Sequence, residues 1–168
     1  SFYFICARPS GQIDGDYEFM HPAIQALLHG IVARGHEVGM HGSYLSACDG
    51  EQLAHEAAIL RGALATSGAD QRIGGRQHFL RWRVPEGIAG CEHAGLSHDA
   101  TLGFAERPGF RCGTCHEHPT FDLRALRPLS VRERPLVAMD VSVTDPLYMG
   151  LGYTAAARDV FIDIKRTC

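Results

Sequence analysis

The sequence predicts an α/β fold, because strand-like and helix-like segments alternate along it, its first strand-like run is apolar throughout, and Gly- or Asp-rich turns separate the pieces. Phe2 to Ala7 is continuous apolar and aromatic sequence, the pattern of a strand buried on both faces of a parallel sheet. A loop rich in Gly and Asp follows. From Pro22 onward, Ile24, Leu27, Leu28, Ile31 and Val32 fall on one stripe of a helix that Gly35 terminates. His36 to Met40 reads as a short strand with His41 at its C-terminal end. Asp49 and Gln52 resemble a capping box, and Leu53, Ala57, Leu60 and Leu64 repeat at helical spacing until Gly68, predicting a helix over residues 50 to 67. Gln71 to His78 predicts another strand, Pro85 to Gly95 a short helix, Pro135 to Asp140 a further interior strand, and Thr154 to Arg166 a final helix. Parallel strands with crossover helices follow, and in such folds ligands lie at the C-terminal ends of the strands.

With 168 residues and no repeats or low-complexity linker, residues 1 to 168 read as one domain with a sizeable core. The formal net charge is -3 with acids and bases interspersed, which excludes the basic stripe that nucleic acid or an anionic membrane requires. No apolar run approaches the ~18 to 20 residues that span a bilayer. A neutral or small substrate fits this balance. The six cysteines are scattered through apolar and loop contexts, so they read as reduced, small hydrophobes, which points to the cytoplasm. The opening SFYFICARPSG lacks the charged start and cleavage site of a signal peptide. Ser1 opens on an interior strand and Cys168 falls inside a helix, so both ends read as cut.

Two strand ends carry histidine: His41 in GHEVGMHGSYLS and His78 in GGRQHFLRW. Neutral imidazoles converging from separate strand ends can form a metal site, although most single histidines are surface or core residues. The stretch GHEVGMHGSYLS resembles the second motif of the polysaccharide deacetylases, carbohydrate esterase family four, in which a histidine after a strand binds a divalent metal. The surrounding order is similar too: an apolar strand, a helix, this motif, then a strand ending in an arginine motif, here Arg76. Next comes LSHDATLGFAERPGFRCGTC, similar to the tyrosine-aspartate-serine phrase of many members, and PLVAMD stands where the strand before the fourth motif belongs. The resemblance covers residues 1 to 165 and implies a distorted (β/α) barrel of fewer than eight strands, present here in part.

The departures from the family pattern are specific. Four residues after His41, where the family has a second histidine, this chain has Leu45. His78, two residues beyond Arg76, is assigned to the vacated metal position, an arrangement that looks like a divergent branch. The first motif, an aspartate pair, is expected before Ser1 and the fifth, a leucine and histidine phrase, after Cys168, so the chain as given is expected to be inactive alone. The resemblance implies hydrolysis of an N-acetyl group on an amino-sugar carbohydrate by a divalent ion, zinc, held by His41, His78 and the upstream aspartate. It further implies an upstream aspartate as base, a downstream histidine as acid, Arg76 orienting the base, and Asp140 holding Arg76. Asp99 reads as a helix cap or loop hydrogen bond. Tyr44 and Trp82 are aromatic candidates to flank a sugar ring, with simple core packing as the other reading.

Cys112-Gly-Thr-Cys115-His116 matches the attachment motif of c-type haem, with Met139 or Met149 as a second axial ligand. The β/α alternation argues against a small cytochrome. The same segment with His118 would form half of a Cys/His zinc knuckle; the plainer reading is a loop with two reduced thiols in which Gly113 permits a tight turn. Two other functions stay open: a hydrolase of another carbon-nitrogen bond using the same ion, and a non-catalytic metal- or sugar-binding domain, which Leu45 favours.

Overall fold

The computed structural model describes residues 1–67 and 72–168. Six strands form one sheet: β1 (Phe2–Phe4), β2 (Val38–Gly42), β3 (Gly75–Gln77), β4 (His98–Asp99), β5 (His118–Asp122) and β6 (Arg127–Glu133). Their order is β1-β2-β3-β4-β6-β5, parallel throughout except that β5 runs antiparallel to β6. Among the described residues, five α-helices accompany them: α1 (Pro22–Ala33), α2 (Gly50–Thr66), α3 (Glu86–His93), α4 (Asp140–Thr144) and α5 (Ala155–Thr167). The predicted α/β alternation therefore holds over the first four strands. No helix among the described residues is long and apolar enough to cross a membrane.

The helices form where the capping chemistry places them. His21 Nδ1 accepts the Ala23 N–H at the start of α1, and Gly35, with φ at 74°, turns the chain out of its end. Asp49 accepts from the N–H groups of Glu51 and Gln52 at the start of α2. One core joins Val38 and Met40 of β2, Leu28 and Ile31 of α1, Leu53, Ala57, Leu60 and Leu64 of α2, Ile88 and Cys91 of α3, and Leu129 and Val131 of β6. The helices α1, α2 and α3 thus cover one face of the sheet. The other face carries Tyr3 and His98, whose rings lie against glycines: a Cβ on Gly39 would stand 2.6 Å from Tyr3, and one on Gly74 would stand 1.9 Å from His98. By contrast, α5 buries only Ala157.

Several expected elements differ. The first strand covers only Phe2–Phe4, and Phe2 is 47% exposed because β1 stands at an end of the sheet and pairs with β2 alone. The second starts and ends two residues later than expected, so His41 lies within it. The strand expected from residue 71 is Gly75–Gln77, its predicted start and Gly68 lying outside the described residues, and His78 opens a turn beyond it. Pro135 to Asp140 is not a strand. The sheet takes Arg127–Glu133 instead, where Leu129, Val131 and Glu133 alternate inward with exposed Ser130 and Arg132. Pro135 cannot donate to a ladder, and after Leu136 bonds the Leu102 carbonyl the chain runs irregularly to Asp140, the first residue of α4.

Candidate metal centre at the strand ends

The segment leaving β2 is clamped by two buried carboxyl groups. Ser43 donates its backbone N–H to Glu56 of α2 at 2.9 Å, and Tyr44 donates its own to Asp14 at 2.6 Å. Asp14 also takes the Ser10 N–H at 2.8 Å, which folds the loop after β1 over the strand end. Both acids are fully buried, and desolvation pushes the Glu56 carboxyl above its ordinary range. Neither was singled out from sequence. Glu56 had a signal, for it sits on the buried stripe of Leu53, Ala57 and Leu60, where a carboxyl needs a partner.

His41 and His78 meet at this point. His41 Nε2 stands 3.0 Å from His78 Nδ1, with the rings edge to face. His78 Nε2 lies 2.7 Å from the Ile13 carbonyl, which can only accept, so that nitrogen carries a proton. Burial first, then the neighbouring His78 and Arg76, depress the His41 pKa to about 4, so its ring is neutral at physiological pH. The residues after His78 make an unusual turn, because Phe79 and Leu80 both adopt left-handed backbone, at φ 56° and 51°. Such conformations cost about 1 kcal/mol or more each for non-glycine residues, and they concentrate where a side chain must be aimed. Trp82 packs against the core, with its ring over Gly87.

Arg76 lies directly across from His41 in the β2–β3 register. Its Nε donates to the Ala100 carbonyl at 3.0 Å, and its guanidinium stacks 4.7 Å from the Tyr3 ring centre. A cleft of about 300 Å³ opens beside it, lined by His41, Arg76, Phe79, Leu80, Met139 and Tyr148 among others. Tyr44 stands near its edge, with its ring against Phe79 at 6.0 Å and beneath the Arg81 guanidinium at 4.0 Å. The structure therefore brings His41, His78 and Arg76 together, with Tyr44 nearby. Asp140 is placed differently: its neighbours Met139 and Val141 line the cleft, while Asp140 itself lines a separate apolar pocket beside α5 and makes no bond to Arg76. Ala100, not Asp140, holds the arginine.

A second polar pair lies one strand over. Asp99 and Glu133 face each other across β4 and β6, both buried. Asp99 accepts from the Thr101 N–H at 2.8 Å and the Thr101 hydroxyl at 2.7 Å, and desolvation raises it to about 6. Glu133 has no well-formed hydrogen bond on either oxygen. Burial and the Asp99 charge push it up to about 8, so at neutral pH Glu133 keeps its proton beside an ionised Asp99. Asp99 is thus a structural acceptor, as its sequence context implied.

The cysteine motif forms a turn. Gly113 has φ at 71° and its N–H bonds the Phe110 carbonyl, as a tight turn requires. Among the described residues, no three His, Cys, Asp or Glu side chains converge as metal ligands, here or around His41 and His78. All six cysteines are free thiols.

No family model matches the chain, and no curated protein sequence matches it. Among solved structures, it is similar to one described as "putative polysaccharide deacetylase from Mycobacterium smegmatis", with 18% sequence identity and a TM-score of 0.60. The likeness covers 89% of this chain and 51% of the other, so this chain spans about half the length of the structure it matches. At that identity the shared property is the fold, which in this chain is a mixed α/β domain with a mostly parallel six-stranded sheet.

Proposed function

We propose that this chain carries part of the active site of a metal-dependent hydrolase that removes N-acetyl groups from an amino-sugar polysaccharide or oligosaccharide, on a sheet that belongs to a distorted barrel. The supporting observation is the 3.0 Å separation of His41 Nε2 and His78 Nδ1. Two nitrogens each ~2.0–2.1 Å from one tetrahedral zinc stand roughly 3.3 Å apart, so a small opening of this pair would admit a divalent ion. The donor set fits: one imidazole is held neutral by burial, the other is fixed in tautomer by the Ile13 carbonyl. A third donor, a carboxylate, is what the resemblance calls for. The fold likeness to a protein described as a deacetylase agrees with this reading.

In this role the ion supplies polarisation of the acetyl carbonyl and activation of water. The residues of the chain do the rest. His41 and His78 fix the reacting end of the cleft, and the immobilised Arg76 guanidinium presents positive charge to a carboxylate base beside it. Phe79 and Tyr44 offer aromatic surface to the apolar face of a sugar ring. Cobalt(II) titration tests the ligand assignment independently of turnover. The intense visible bands of a four- or five-coordinate ion should appear with the full-length polypeptide and vanish in its His78→Ala variant; bands that persist unchanged would refute it. Acetate release from an acetylated oligosaccharide by the full-length polypeptide then separates N-acetyl hydrolysis from cleavage of another amide.

A further inference from the structure

The loop between β1 and α1 buries one residue over positions 7–16, and it is an acid: Asp14 has no exposed surface, while its neighbour Ile13 is 42% exposed. A carboxyl enters such a place only when its hydrogen bonds are met. Asp14 Oδ1 accepts the Tyr44 N–H at 2.6 Å, and its Oδ2 accepts the Ser10 N–H at 2.8 Å. The chain beside it carries the Ile13 carbonyl, which lies 2.7 Å from His78 Nε2. Two adjacent links thus join the loop to the strand exits, one on Tyr44 just past His41 and the other on His78 itself.

We propose that Asp14 is a positioning residue of the candidate metal centre, which acts by holding the Ile13 carbonyl against His78 Nε2. The inference rests on the reading of His41 and His78 as ligands. A neutral imidazole carries one N–H, and a carbonyl can only accept. While the Ile13 carbonyl stays in place, the proton of the neutral ring stays on Nε2 and the lone pair falls on Nδ1, the nitrogen 3.0 Å from His41 Nε2. Without that carbonyl either nitrogen can hold the proton and the ring is free to turn, so Nδ1 is no longer reserved for an ion.

The need for a carboxyl follows from its partners. Two N–H donors converge on it, from Ser10 and Tyr44, and two acceptor oxygens serve both. Asparagine has the same size but one acceptor, and its NH2 would face the second N–H. Glu56, the other buried acid at this point, is engaged elsewhere, on the Ser43 N–H and the Gln52 side-chain amide.

The test uses the full-length polypeptide with 15N-labelled histidine. Metal-free protein is observed by NMR at about pH 9, where an ordinary imidazole is neutral, and cobalt(II) is then titrated optically. His78, assigned by the loss of its signals in His78→Gln, should show a protonated Nε2 and an unprotonated Nδ1 in the wild type. Asp14→Ala should mix the two tautomers and weaken cobalt binding by about a hundredfold, and Asp14→Asn, which keeps one acceptor, by about tenfold with a partial mixture. If Asp14→Ala does not fold, Asp14→Asn decides. Leu60→Ala, which loosens the core on α2, should leave the His78 tautomer as in the wild type. A wild-type proton on Nδ1, an unchanged tautomer in the folded Asp14 variants, or an equal mixture in Leu60→Ala would each overturn the proposal. If the wild type takes no cobalt while its tautomer follows Asp14, the ligand reading fails and the positioning of His78 stands.

Discussion

Two pairs of polar side chains face each other across neighbouring strands of one sheet, and they have opposite fates. His41 opposes Arg76 across β2 and β3, and the pair opens on a cleft. Asp99 opposes Glu133 across β4 and β6, and that pair is sealed in beside Cys91 of α3. One residue of register separates them, because the β3 partner of Asp99 is Gly75, not Arg76. Successive side chains point to opposite faces, so the carboxyl pair turns toward the helices and the histidine turns away from them. A polar strand end is therefore a ligand candidate only on the face that the helices leave uncovered. On the other face the same position yields a neutral carboxyl.

The largest effect that separates the two pairs is on metal. His41→Ala or His78→Ala should weaken zinc binding by more than about a thousandfold, or about 4 kcal/mol, in calorimetric titration. Glu133→Gln should leave it unchanged, and an equal loss in both would merge the pairs into one site. Stability against pH comes next. The folded Glu133 pKa, about 8, lies above the ordinary 4.5, so the folded state holds a proton that the unfolded chain has released between those values. Stability should consequently fall as pH rises from about 4.5 to about 8. Glu133→Gln should remove the part of that slope above about pH 6, where Asp99 has already ionised, and be more stable above pH 8 by roughly 2–4 kcal/mol in urea unfolding. If the slope persisted in the variant, another group would be its source.

Smaller effects sharpen the comparison. The Thr101 hydroxyl donates to Asp99 and accepts the Gln77 N–H, which ties the carboxyl pair to the strand that carries Arg76. Thr101→Val should cost about 1–3 kcal/mol in chemical denaturation, because it strands a buried donor and a buried carboxylate. The smallest shift is expected for Arg76→Lys, which keeps the charge but loses the Nε hydrogen bond and the planar stack on Tyr3. About 1 kcal/mol of stability should go with it, read as a drop of a few degrees in Tm. A larger drop would mean that Arg76 carries the fold as well as the cleft.

The helices were legible because their signals are local: the stripes of α1 and α2, the Asp49 cap and the Gly35 stop all act within a few residues. His41 and His78 were legible as strand-end residues, and their convergence was inferred from order alone. What escaped depended on contacts distant in sequence. Asp14 and Glu56 hold backbone amides 30 and 13 positions away, and no periodicity reveals that pairing. The β6 strand was hidden because a charged residue, Glu133, takes one of its inward positions, whereas PLVAMD looked like a strand and is irregular chain buried only at Pro135 and Leu136. Asp140 was assigned to Arg76 by family order, yet the turn into α4 carries it to the other side of its segment.

The glycine beneath Tyr3 reaches further than its size implies. Because Gly39 has no side chain, the Tyr3 ring comes close against the strand there and provides a shelf for the Arg76 guanidinium. A freely rotating arginine loses about 1.5–2 kcal/mol of rotamer freedom when it is immobilised. Here that loss is incurred once, during folding, so an anion arriving at the cleft meets a donor that is already still. Alanine at position 39 would lift the ring, free the guanidinium, and return the entropic penalty to every binding event.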